Sequence, residues 1–208
     1  MFLSQSDIEA KKNEIFPVKD HFDPSNLSEA SYDLRVGDEV FLSEDRVPTR
    51  LCEGSPFVLL PPGQFALVKT YEKIKIPKEL IGLISIKSKF KFQGLINISG
   101  FHVDPTYEGH LIFAVQNVGP SDIRLKLGEK VFMIMFAGLQ TPYTGKPRQP
   151  GYDSISLDQM AQLGGPSVTL AQLKNNLDRM SLSLKIYGAL AIAIFVAVIT
   201  LLFELLRR

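Results

Sequence analysis

Between Ser31 and Leu139 the chain is a series of short apolar or alternating runs: Glu39 to Leu42, Phe57 to Leu60, Phe65 to Thr70, Ile81 to Ser85, His110 to Gln116, Ile123 to Leu127 and Lys130 to Phe136. Turn formers punctuate them at Gly37-Asp38, Pro61-Pro62-Gly63, Pro77-Lys78, Gly119-Pro120 and Gly128-Glu129. Runs of strand length at this spacing, with no helical pattern long enough for a crossover between them, predict an all-β barrel or sandwich rather than a parallel sheet. A short N-terminal helix is expected from Ser4 to about Asn13, capped by Ser6 or Asp7 ahead of Ile8 and ended by Pro17.

After Leu139 the pattern changes. The stretch Thr141 to Gly151 is dense in Pro, Gly and basic residues, which excludes regular structure and reads as a linker or as a flap that orders on a ligand. Beyond Gly164-Gly165-Pro166, Ser167 is placed to cap a helix in which Leu170, Leu173, Leu177, Met180 and Leu184 follow steps of three and four. Such a stripe suits either a surface helix lying on the domain or a coiled-coil stem between copies already held together. From Ile186 to Phe203 there are 18 residues without a charge, bracketed by Lys185 and by Glu204, Arg207 and Arg208. At about 1.5 Å per residue they reach roughly 27 Å, close to a hydrocarbon core. A single C-terminal membrane span is expected, the other reading being a buried core helix.

The chain thus divides into a globular domain (1–140), a flap or linker (141–166), a helical stem (167–185) and a membrane helix (186–206). The start, Met1 to Asp7, lacks the basic and apolar run of a signal peptide, so the globular part is expected in the cytoplasm, with membrane lipid as a partner.

Composition narrows the chemistry. A net charge of +1 with scattered bases argues against bulk nucleic-acid binding. One cysteine, Cys52, precludes an internal disulfide, and no paired Cys/His spacing offers the zinc site on which many nucleobase deaminases depend.

Three segments carry features beyond a generic barrel: Phe22 to Glu39, Ser85 to Leu95, and Gly100 to Leu111. In the second, Lys87, Lys89, Lys91 and the Ser88 hydroxyl can hold phosphate oxygens, or can be a solvated strand edge protected by lysines. In the third, Asp104 can face a water or a sugar hydroxyl while Tyr107 covers a ribose, or Asp104-Pro105 can merely start a turn.

In this order the segments resemble the dCTP deaminase branch of the dUTPase-like superfamily, from Met1 to about Pro150. The resemblance implies a distorted β-barrel or jelly roll, a homotrimer with sites between subunits, and a pyrimidine deoxynucleoside triphosphate with Mg²⁺. It implies that Asp33 in Tyr32-Asp33-Leu34 supports the metal–triphosphate end. The family's Arg-Ser-Ser phosphate motif falls on Lys87-Ser88-Lys89, and its following arginine on Phe92. Tyr107 in Asp104-Pro105-Thr106-Tyr107-Glu108-Gly109 would stack on the deoxyribose, and a C-terminal flap would use Tyr143, Lys146 and Tyr152.

One departure bears on activity. Where the deaminases carry a glutamate in Leu-Glu-x-x-Asn, this chain reads Phe113-Ala114-Val115-Gln116-Asn117, and a later glutamine is replaced by Met133. Ala114 cannot shuttle a proton. Four readings follow: a nucleotide sensor or binding module, a dUTPase-type hydrolase using Asp104, a deaminase with a substitute for the glutamate, and a barrel serving only as an oligomeric scaffold.

Overall fold

A computed structural model describes residues 1–147, 151–163 and 170–207. The chain opens with α1 (Gln5–Ala10) and α2 (Lys12–Ile15), whose Ile8 and Ile15 are buried in the barrel core. The cap is not Ser6 or Asp7 but Ser4. Its Oγ accepts from the Asp7 amide, and its own amide donates to the Asp7 carboxylate, which makes Asp7 the third helical residue of a capping box.

The strands are β1 (Leu27–Ser28), β2 (Ser31–Leu42), β3 (Thr49–Arg50), β4 (Phe57–Leu60), β5 (Phe65–Lys75), β6 (Leu80–Ile86), β7 (Leu95–Asn97), β8 (His102–Val103), β9 (Glu108–Asn117), β10 (Ile123–Lys126) and β11 (Lys130–Gly138). A one-turn helix, α3 (Ser88–Lys91), follows β6. All pairings are antiparallel. The main sheet runs β7-β9-β5-β2-β11-β6-β8, with β1 and β3 added to β2, while β4 and β10 form a separate pair. It curls into a half-barrel, and Cα atoms of β6 and β7, five places apart in that order, approach within 8 Å.

Tyr32, Leu34, Phe113, Phe132 and Phe136 fill the interior, with the Phe113 and Phe132 rings stacked at 3.9 Å. On β9 the odd-numbered residues are buried inside and the even-numbered ones lie on the opposite face, the two-residue alternation expected of a strand covered on one side. β2 starts eight residues earlier than the run beginning at Glu39, because its polar members are satisfied across the sheet: Asp33 by Lys87 and Arg35 by Glu72. Bulges interrupt β2–β5 and β5–β9 pairing around Lys69 to Lys73. There Gly37 lies so close to β5 that a Cβ would sit 2.8 Å from the Lys69 and Thr70 carbonyl oxygens.

A second, smaller cluster forms where α4 (Leu157–Leu163) and the residues before it meet the sheet, with Ile155 and Met160 buried against Phe41 and Leu67. The unit beginning at Val168 contains α5 (Leu170–Leu206), in which the expected stem and span are one continuous helix of 37 residues. Leu173 to Thr200 is long and apolar enough to cross a membrane. The expected cap Ser167 lies outside the described residues.

Candidate functional site

The turn from β8 to β9 is held under strain. Thr106 has a φ of 70°, a left-handed conformation unfavourable for a β-branched residue. Backbone bonds on both sides fix it: Thr106 N–H donates to the Ile76 carbonyl and Ile76 N–H to the Tyr107 carbonyl, each at 2.8 Å. The turn borders a cavity of about 150 Å³ lined by Ile84, His102, Asp104, Tyr107, Ile112 and Tyr152. Asp104 and Tyr107 therefore share one cavity, and His102 Nε2 lies 3.3 Å from Asp104 Oδ1.

Tyr107 is not presented to the cavity as a free ring. Its hydroxyl donates to the His110 carbonyl, and burial pushes its phenol up to about 12, so it stays a neutral donor. Gly151 lies directly against it, since a Cβ there would come within 2.6 Å of the ring.

Lys87, expected among surface phosphate-holding lysines, is half-buried and paired with the carboxylate of Asp33. The two residues expected at the phosphate and metal ends thus neutralise each other. Lys89 Nζ reaches Glu129 at 3.4 Å and Lys91 Nζ reaches Ser85 Oγ at 2.8 Å, while Ser88 is exposed. Among the described residues no three His, Cys, Asp or Glu side chains gather to hold a metal. With Asp33 engaged by Lys87, the donor set does not fit a protein-held Mg²⁺.

Tyr143 and Lys146 sit on an exposed loop, anchored where the Tyr143 amide donates to the Lys78 carbonyl at 2.8 Å. Neither they nor Lys87, Ser88 and Lys89 line the Asp104 cavity. Tyr152 does, and so do His102 and the Ser99-Gly100 wall, for which the sequence predicts no role. The spacing of His102 and Asp104, two apart at a strand end, was the available signal for the former.

Ala114 lies on the outer face of β9 and is packed under Phe41, Leu67, Ile155 and Met160. Beside this patch, two histidines meet with ring centroids 5.8 Å apart, His21 accepting from the Lys73 amide and His110 touching the Thr70 carbonyl. Burial first, and then neighbouring positive charge, hold both below the ordinary histidine range, although for His110 the bond to Thr70 works in the opposite direction. Under them, Arg35 Nε and Glu72 form a buried ion pair at 2.7 Å.

Residues 2–139 match the family model described as dCTP deaminase-like. The chain belongs to that family. A dCTP deaminase of Pyrococcus horikoshii is 34% identical over 129 residues, which span 62% of this chain and 78% of that protein. A dUMP-forming dCTP deaminase of Clavibacter michiganensis is 33% identical over 160 residues, 68% of this chain and 78% of its own length. Among solved structures, the dCTP deaminase of Agrobacterium tumefaciens superposes with a TM-score of 0.53 at 16% identity, covering 65% of this chain and 48% of that one, a likeness of fold. The all-β barrel and the dCTP deaminase-like membership expected from the sequence both hold. The family match ends at residue 139, so it covers neither α4 nor α5.

Proposed function

We propose that the barrel binds a pyrimidine deoxynucleotide without deaminating it, and that α5 anchors it to a membrane. The carrying observation is Ala114: the position of the family's glutamate holds a methyl group under the Ile155 and Met160 side chains. Loss of a positioned acid/base lowers a rate by about 10²- to 10⁴-fold, and here one group would have served both proton transfers. The nucleoside end of the ligand sits at Asp104 and Tyr107, and its phosphates meet Lys87, Ser88 and Lys89 of the same or a neighbouring copy in a homotrimer. Tyr143 and Lys146 close over it from the first part of the 141–166 flap, ahead of Gly151. Were the ligand a triphosphate, any Mg²⁺ would come with its phosphates, and Asp33, paired with Lys87, would bear on it only indirectly. The barrel, to about residue 140, stands in the cytoplasm; 167–185 forms the stem and 186–206 the span.

A second reading rests on Asp104 lining the cavity beside His102. There it could orient a water for dUTPase-type hydrolysis to dUMP and pyrophosphate. Both readings are tested by incubating the full-length protein in detergent with dCTP and dUTP while measuring binding, ammonia and pyrophosphate. Binding without either product is expected. Ammonia release at enzymatic turnover refutes the proposal, pyrophosphate release that Asp104→Asn abolishes establishes the hydrolase, and absence of binding removes the nucleotide reading.

A further inference from the structure

Tyr152 belongs to two structures at once. It lines the cavity, and it lies at the start of a strap, residues 151–163, that crosses the outer face of the sheet from β9 over β5 to β2. The strap is bonded to the barrel from Gly151 to Ile155: Gly151 N–H donates to the Glu108 carbonyl and His110 N–H to the Tyr152 carbonyl, both at 2.8 Å. Asp153 takes Lys73 at 3.2 Å through its carboxylate and Lys69 at 3.3 Å through its carbonyl. The Ile155 amide donates to the buried carboxylate of Glu39 at 3.3 Å. Ile155 and Met160 then bury all but 4% and 9% of their surfaces. Closest approach occurs at two facing glycines, since a Cβ on Gly109 would come 2.7 Å from the Gly151 backbone.

We propose that this strap is an autoinhibitory latch on the nucleotide site, and the inference rests on the nucleotide reading above. Docked, it presses Gly151 onto the Tyr107 ring, draws the Tyr107 hydroxyl towards His110 and sets Tyr152 at the cavity wall. The remaining 150 Å³ falls below the roughly 300 Å³ at which pockets for nucleoside-sized ligands begin. A nucleoside enters by displacing the Gly151–Tyr152 corner, so ligand and docked strap exclude one another. Because the strap continues along the chain to α5, its release is the event that reports occupancy to the membrane helix. By linkage, whatever undocks the strap tightens nucleotide binding, and nucleotide frees the strap by the same factor.

The test uses full-length protein in detergent, with dUTP and dCTP as probes. Ile155→Asp and Met160→Asp undock the strap at residues that do not themselves line the cavity. Both should bind nucleotide at least about tenfold more tightly, the factor by which a docked state favoured ten to one weakens apparent affinity. Amide exchange over 155–163 should quicken in both variants, and in the wild type on adding nucleotide, while β9 stays protected. Met160→Ala, which removes packing without adding charge, should give the same changes at smaller size and guards against misfolding of the charged variants. Slower exchange of 155–163 with nucleotide, or no gain in affinity in undocked variants, overturns the latch. If neither wild type nor variants bind, the nucleotide reading fails and the gate with it, while ligand-free exchange still reports whether the strap docks.

Discussion

Restoring a glutamate by Ala114→Glu should unlatch the barrel rather than revive deamination. Ala114 packs against the cluster of Phe41, Leu67, Ile155 and Met160, which Phe65 and Ile112 also join, and none of these can pair a carboxylate. Retaining the charge beneath them costs several kcal/mol. The alternative is to lift the strap, giving up burial of Ile155 and Met160 at about 1.5–3 kcal/mol each while regaining chain entropy. The second route is cheaper and limits the damage to about 2–4 kcal/mol, which for a barrel of this size lowers Tm by roughly 4–16 °C. Thermal denaturation with exchange over 155–163 reads both parts, and ammonia release from dCTP reads the third. An unchanged Tm with a protected strap, or a gain of deamination at enzymatic rate, would refute the reasoning.

The depressed histidines predict acid sensitivity: His21 Nδ1 accepts the Lys73 amide only when unprotonated, so stability is full above about pH 6.5 and falls as pH drops from there through the lower folded values. Tm measured across that range should show the slope and His21→Gln should flatten it; an identical profile in the variant rejects the assignment. Gly37→Ala drives a methyl group to 2.8 Å from two β5 carbonyls and should cost about 1–3 kcal/mol in chemical denaturation. Lys87→Ala strands the Asp33 carboxylate and should lower the ligand-free stability by about 1–3 kcal/mol, after discounting for the exposed third of Lys87, whereas the exposed Lys89→Ala should not. Adding Asp33→Asn should recover most of that loss. Single cysteines at Leu173, Leu177 and Met180 should crosslink between copies in membranes and one at Asn175 poorly, with equal crosslinking at all four speaking against a heptad stem.

The β architecture was legible where local pattern suffices. β4, β9 and β10 alternate or run apolar for a strand's length, and the expected limits fall within two residues of those observed. β1, β3, β7 and β8, of two or three residues each, are too short to carry a period. The early half of β2 was hidden because Asp33 and Arg35 look like loop residues until Lys87 and Glu72, 54 and 37 positions away, come to meet them. The same distance effect governs the site. Asp104 and Tyr107 share a turn and were found together, but nothing near Ile155 or Met160 announces that their packing partners are Phe41, Leu67 and Ala114. A stretch rich in Pro and Gly upstream drew the strap into a flap, although Ser156 and Gln159 carried a short helix signal at its centre.

The placing of β2 between β5 and β11 has a consequence for how the chain is made. β5 ends at Lys75 and β11 at Gly138, 63 residues later. At about 5–20 residues per second, β2 waits roughly 3–12 s with one of its two edges open as the ribosome advances. That edge includes Tyr32 and Leu34, side chains that are wholly buried in the finished barrel, and an open apolar edge is a template for pairing with another nascent chain. Closure by β11 also delivers Met133 and Ile134 opposite Asp33 and Tyr32. Any slowing of translation between Lys75 and Gly138 therefore lengthens the interval in which a chaperone has to shield β2, and the long apolar α5 emerges only after that hazard has passed.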